Sequence, residues 1–255
     1  MTKAEMDKRS ELENLFGKSV VVVCDREPFQ SVSVKRLDSI RSELMAMDPL
    51  LTPILFLSTS CYQVDEALDL VSHLQNNNRH YEVIVPARLG SLGTVLSLGA
   101  EKIYMTRMGA LSSIDATLSG HGYPDIFLNS NRRCINLAEL TELRAFFQSV
   151  VDYDPNLLSS IEEEIEKYIP SSLGLGARKR ELELKDKLLR IIKVFSGLGK
   201  PEDFVSFLLR GAGSFDYWMY YRELKRIGLK VELIPSREEQ KVLKINKVLQ
   251  GQRNE

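Results

Sequence analysis

The chain has 255 residues, of which 44% are hydrophobic and 27% charged, a composition typical of a globular protein large enough to bury a sizeable core. Its 34 Lys and Arg residues nearly balance its 35 Asp and Glu residues, so it lacks the positive charge excess of a dedicated nucleic-acid binder. The 15 glycines, 9 prolines and intermixed charges exclude collagen-like, disordered and coiled-coil classes.

Cysteine usage and apolar run length indicate a cytoplasmic protein. Cys24, Cys61 and Cys134 are too few and too scattered for a disulfide framework or a zinc ribbon, and their odd number fits a reducing compartment. The longest apolar run, Val20 to Cys24, is far shorter than the ~20 residues of a spanning helix. The charged N-terminal segment does not resemble a secretory signal. We expect no membrane span and no cofactor. We also expect no metal site, because no cluster of His, Cys and Asp has metal-ligand spacing.

Helices and strands are predicted to alternate through the first part of the chain. Apolar residues at helical spacing indicate helices, and short β-branched runs indicate buried strands. In chain order these are a helix over 4–16, a strand over 19–24, a helix over 33–47, a strand over 54–57, a helix from 64 to the polar run 76–78, a strand over 81–85, an apolar helix through Gly99 and a strand over 102–105. This alternation predicts α/β layers around a parallel sheet.

Helical patterns dominate after residue 136. The predicted helices cover 137–151, 157–168, 177–195, 201–210 and 217–227, and a last strand covers 230–234. We therefore divide the chain into an α/β core over 1–135, a helical extension over 136–236 whose final strand packs on the core, and a polar tail over 237–255. The aromatic cluster at 218–221 is expected to be buried against the core, with a partner surface as the alternative.

Ser91 stands out because it follows a strand and a glycine-containing turn and opens an apolar helix. The amino end of a helix offers unpaired N–H groups and the positive end of a dipole, and both stabilise developing negative charge. A serine nucleophile would benefit from that position. The alternative is that Ser91 is only the N-cap of the helix, a common role for serine.

Several short motifs occur in an order that resembles a known superfamily. They are Val85-Pro86, Ser91-Leu92-Gly93-Thr94, Gly99-Ala100-Glu101-Lys102-Ile103-Tyr104-Met105, Leu111-Ser112-Ser113-Ile114-Asp115-Ala116, and a late segment from Ser214 to Val231. Together they resemble the ClpP/crotonase superfamily, most closely its serine dehydrogenase proteinase branch, which is related to signal-peptide peptidase A. The resemblance spans about residues 12 to 234 and implies layered parallel β-α units with a C-terminal helical extension.

The resemblance implies a serine peptidase-like hydrolase of amides or esters. Ser91 would attack the carbonyl carbon, and the N–H groups of Leu92 and of the 58–62 loop would hold the oxyanion. Gly93, Ser60 and Cys61 complete the implied oxyanion and substrate loops. The implied partner is a peptide or protein, and relatives of this kind usually form trimers, hexamers or larger rings, so a homo-oligomer is implied as well.

His121 is the first candidate for the base that would deprotonate Ser91. It lies 30 residues after Ser91, on a loop flanked by Gly120 and Gly122, and the base of ClpP-like enzymes follows the nucleophile by a comparable stretch. Asp115 could orient His121. The alternatives are that His121 is a solvated loop residue and that Asp115 only turns the chain.

Three departures from the family pattern favour a second hypothesis. The family's Pro-Gly-Gly loop is replaced by residues 57–63, its late His by Phe215, and a Gly-Pro pair by Ser112-Ser113. Non-glycine residues strain a loop that must turn its N–H groups toward an oxyanion. The second hypothesis is a non-catalytic pseudo-peptidase of the same fold that binds peptides or serves as an assembly subunit.

Overall fold

A computed structural model describes the protein over residues 3–24, 34–60, 64–114, 127–128, 131–132, 180, 182–192, 199–210 and 217–251. Helices and strands alternate through the described residues between 3 and 85, as predicted. The central sheet has five strands, and every neighbouring pair is parallel. The predicted α/β class with a parallel sheet is therefore confirmed.

The bounds of the elements agree closely with the predicted ones in the first half of the chain. The helices are α1 (Lys3–Phe16), α2 (Val34–Ala46), α3 (Val64–Asn76), α4 (Ser91–Leu98), α5 (182–192), α6 (Pro201–Arg210), α7 (Tyr221–Ile227) and α8 (Ser236–Leu249). The strands are β1 (Val20–Cys24), β2 (Ile54–Ser58), β3 (Glu82–Val85), β4 (Arg88–Leu89), β5 (Lys102–Met105), β6 (Ala110–Ser112), β7 (Phe127–Leu128), β8 (Asn131–Arg132), β9 (Trp218–Tyr220) and β10 (Val231–Leu233).

The central sheet has the order β1-β2-β3-β5-β10 and is covered on both faces. Alternate residues of β1 point to opposite faces, so Val21 and Val23 pack in the layer of α2, α3 and α4, whereas Val20 and Val22 pack in the layer of α1 and α8. Continuous apolar strands such as these are typical of parallel sheets with two covered faces. The fold thus has two apolar layers separated by the sheet.

A second, smaller sheet with the order β4-β6-β9 lies beside α4. Strand β4 is parallel to β6, and β9 is antiparallel to it. The predicted helix over 217–227 is wrong in its first part, because residues 218–220 pair with β6 and the helix begins at Tyr221. The Glu223 carboxylate accepts a hydrogen bond from the Tyr220 N–H (3.1 Å) and fixes that start.

Residues 236–249 form α8 where the sequence predicts a polar tail. Val242 and Ile245 lie three residues apart on one face of α8 and are buried with Leu12 of α1. Buried Glu239 accepts a hydrogen bond from the Arg107 N–H (2.5 Å), and a second one from the Arg107 guanidinium. This segment is therefore a helix that completes the apolar layer of α1 and α8, rather than a solvated tail.

Much of the predicted helical extension lies outside the described residues, including the predicted helices over 137–151 and 157–168. The described part of 177–195 is helical, and the helix over 201–210 is confirmed as α6. The division of the chain at residue 136 stays a prediction. Within the described ranges, no helix combines the length and apolarity needed to cross a membrane.

The buried carboxylate of Glu239 provides a test of how α8 is attached. We expect Glu239→Ala to lower the free energy of unfolding by about 2 kcal/mol, because it removes two hydrogen bonds to a charged group. The neighbouring variant Glu238→Ala is the matched control and should change it by less than about 0.5 kcal/mol. Urea unfolding curves measure both, and equal losses would show that Glu239 does not anchor α8.

Candidate functional site

The candidate site lies at the carboxyl end of β3, where the chain turns into α4. Gly90 is the N-cap of α4, with an extended backbone and no side-chain cap, and Ser91 is the first helical residue. The alternative interpretation of Ser91 as the N-cap is therefore wrong. The predicted arrangement of strand, turn and helix is confirmed, and it places the Ser91 side chain at the positive end of the α4 dipole.

The Ser91 side chain is buried and points toward the chain that follows β6. Its exposed fraction is 0%, and its Oγ donates a hydrogen bond to the Ser113 carbonyl oxygen (3.2 Å). One turn further along α4, Thr94 Oγ1 donates to the Ser112 carbonyl oxygen (3.1 Å). Each hydroxyl has one proton to donate, so both side chains tie the first turn of α4 to the end of β6.

Leu92 and Gly93, predicted to lie in the oxyanion and substrate loop, are part of the packed core. Leu92 is fully buried. A Cβ at position 93 would stand 2.8 Å from Leu89 Cβ, so glycine is what lets α4 approach β4 this closely. The Gly93 carbonyl oxygen also accepts a hydrogen bond from Ser97 Oγ (2.7 Å). On this side α4 therefore packs closely against β4.

The loop after β2 reaches the turn before α4. The Gly90 N–H donates to the Thr59 carbonyl oxygen (3.3 Å), which brings the 58–60 segment beside the start of α4. Ser58 and Thr59 are buried and Ser60 is exposed. Among the described residues the buried Ser58 Oγ has no hydrogen-bond partner, a rare condition for a hydroxyl in a core.

The residues predicted to act with Ser91 lie outside the described residues. These are the candidate base His121, its orienting residue Asp115, and Cys61 of the predicted oxyanion loop. Lys102, the first lysine after Ser91, pairs with Glu232 at 2.9 Å. That hydrogen bond raises the pKa of Lys102 above its ordinary value, whereas a lysine base requires a lowered pKa.

Two surface features near β9 are not identified as sites by sequence reasoning. A cavity of about 490 Å³ opens between α6 and α7, with apolar walls from Phe204, Phe207, Tyr217, Met219 and Ile227. On the other face of β9, the Arg88 guanidinium lies 5.4 Å from the centre of the Trp218 ring. The only sequence signal for either is the aromatic cluster at 218–221. Among the described residues, no group of three or more His, Cys, Asp or Glu could hold a metal ion.

The close approach of α4 to β4 can be tested at Gly93. We expect Gly93→Ala to lower the free energy of unfolding by about 1–3 kcal/mol, because the added methyl group overlaps Leu89. Gly199→Ala is the matched control, since a Cβ there meets none of the described residues within 4 Å. Thermal and urea unfolding measure both variants. A stable Gly93→Ala protein would mean that α4 is free to move away from β4.

Comparison of the chain with protein-family models and with curated proteins finds no match. What is established is the parallel α/β core and a serine at the first position of a buried helix that follows its third strand.

Proposed function

We propose that this chain is a non-catalytic, peptide-binding relative of the ClpP/crotonase superfamily. The parallel β-α units and the serine at the start of α4 support the family assignment. The observation that carries the non-catalytic part is the state of the Ser91 hydroxyl, which is inaccessible to solvent and donates its proton to the Ser113 carbonyl oxygen.

A serine nucleophile needs two things that this arrangement opposes. Its proton must pass to a base within about 3 Å, and its oxygen must reach the substrate carbonyl carbon. A main-chain carbonyl oxygen cannot accept the proton permanently, because it is not a base at ordinary pH. The contact with Ser113 therefore stabilises the fold and gives Ser91 no activation.

The loop after β2 supports the same conclusion. An oxyanion loop needs main-chain N–H groups turned toward the substrate, and glycine allows this at low cost. In this chain non-glycine residues occupy the loop, and the side chains of Ser58 and Thr59 are buried in the protein. The loop holds the turn before α4 through the bond between Thr59 and Gly90.

A serine hydrolase is the second candidate, favoured by the location of Ser91 at the amino end of α4. In that case Ser91 Oγ would attack the carbonyl carbon, His121 would take the proton, and Asp115 would orient His121. The segment after β6 would first have to release the hydroxyl from the Ser113 carbonyl oxygen. Homo-oligomer formation belongs to both candidates, as an implication of the resemblance.

Labelling by a fluorophosphonate probe separates the two candidates. We expect no labelling of the wild-type protein between pH 7 and pH 9, about the range in which a histidine or activated lysine base becomes neutral. Labelling that disappears in Ser91→Ala but persists in Ser97→Ala would contradict the proposal and establish the hydrolase.

The same two variants test the structural role of Ser91. Ser91→Ala leaves the Ser113 carbonyl oxygen without its donor and should cost about 1 kcal/mol of unfolding free energy. Ser97→Ala removes another buried hydroxyl of α4, which donates to the Gly93 carbonyl oxygen one turn earlier in the same helix, and serves as the matched control. If Ser91→Ala is more stable than the wild type, the serine is being kept at a cost in stability, and the structural role is wrong.

A further inference from the structure

Strand β9 has one edge that no described strand covers. It is the last strand in the order β4-β6-β9, and its described partner is β6. The Ser113 N–H donates to the Tyr217 carbonyl oxygen (3.3 Å). In an antiparallel ladder the next residue then turns its N–H and C=O away from the partner strand, so the main chain of Trp218 faces outward. Tyr220 faces the same way, but its N–H already donates to the Glu223 carboxylate (3.1 Å), so the main chain of Trp218 is the part of this edge that can serve as a template for another strand.

One face of β9 borders the apolar cavity. Tyr217 and Met219 line it from the strand, and Phe204 and Phe207 line it from α6. The Phe207 and Tyr217 rings meet edge to face, with centres 5.2 Å apart. At about 490 Å³, the cavity has room for more than one apolar side chain of a bound peptide.

The opposite face of β9 carries a fixed positive charge. The register places Arg88 of β4 in one row with Ala110 and Tyr220. The guanidinium lies over the Trp218 ring, and its Nη2 donates to the Tyr220 hydroxyl oxygen (2.9 Å). Arg88 forms no ion pair with the described residues, so its charge is available to an acidic group. Arginine, tryptophan and tyrosine are the residues most often found at the centres of binding sites.

Other charges near the cavity do not reverse this pattern. Lys200 and Arg226 line the cavity together with Asp203 and Glu223. Both carboxylate oxygens of Glu223 already accept hydrogen bonds, from the Tyr217 hydroxyl (2.7 Å) and the Tyr220 N–H (3.1 Å). The cavity is therefore apolar with balanced charges at its margin, whereas the Arg88 face is positive.

We propose that the edge of β9 that no described strand covers binds an extended peptide in which apolar and acidic residues alternate. The peptide adds as a strand beside Trp218, and its successive side chains point to opposite faces. Apolar side chains enter the cavity of Phe207 and Met219, and acidic side chains meet Arg88. This inference rests on the proposed peptide-binding function and names where the peptide lies and which sequence it carries.

A second copy of the chain is a poorer occupant of this edge. Two β9 strands paired about a two-fold axis would present the same face on the same side, so the two Arg88 side chains would approach each other. Two like charges at one interface disfavour that pairing. An acidic peptide provides the opposite charge, which is why the edge favours a peptide over a self-pair.

Fluorescence anisotropy with synthetic peptides tests the proposal on the full chain. The probe is a short fluorescein-labelled peptide in which leucine and glutamate alternate. One control peptide has the same composition with the leucines and glutamates in two blocks, and another has lysine in place of glutamate. We expect saturable binding of the alternating acidic peptide, and binding at least about tenfold weaker for both controls.

Two protein variants and a matched control locate the peptide. Arg88→Glu should weaken binding of the acidic peptide at least about tenfold and strengthen binding of the lysine peptide, and Phe207→Ala should weaken both. Arg222→Glu, which reverses an exposed charge of α7 outside the cavity lining, should leave binding unchanged. Thermal unfolding of each variant shows whether it is folded.

The possible failures are distinguishable. No saturable binding at about 1 mM peptide, binding insensitive to Arg88→Glu, or self-association of the wild type that competes with peptide binding would overturn the assignment of β9. Cleavage of the peptide by the wild type but not by Ser91→Ala would instead overturn the proposed non-catalytic function and leave the binding result to stand on its own.

Discussion

The hydrogen bonds from α4 to the end of β6 are the constraint on which the rest of this structure depends. The hydroxyl groups of Ser91 and Thr94 both donate hydrogen bonds to main-chain carbonyl oxygens of the segment 112–113. Because all eight residues of α4 are buried, those hydroxyls must find partners inside the protein. The small sheet and the helix are thereby fixed to each other, and the position of β9 follows from β6. The Ser91 hydroxyl thus helps to set the geometry of a neighbouring surface.

The central sheet could be predicted from the sequence because its pattern is local and strong. Every residue of β1 and of β2 is buried, so neither strand has a solvated face. Between the two strands, apolar residues recur at helical spacing and predict a helix. The position of Ser91 was predictable for the same reason, since a strand, a turn and an apolar helix succeed one another directly. Local pattern therefore specified where the serine stands.

What the serine does could not be predicted, because its partner is 22 residues away and the contact depends on how β6 packs against α4. The strand Trp218–Tyr220 escaped prediction for a related reason. Its residues continue a helical spacing with Tyr221 and Leu224, and only pairing with β6 makes them a strand. In α8 the apolar face of Val242 and Ile245 was masked by the lysines between and around them. In each case a tertiary contact overrode or completed a weak local signal.

The two apolar layers of the fold have different consequences for its dynamics. The layer of α2, α3 and α4 is continuous with α5, α6 and the buried side of β9, whereas the layer of α1 and α8 is a smaller cluster held at one end by Glu239. Smaller clusters open at a lower free energy than the whole fold. Amide protons of α1 and α8 should therefore exchange with deuterium earlier than those of β3 and α4. The helices on the opposite face of the sheet can then open locally while the residues around Ser91 stay folded.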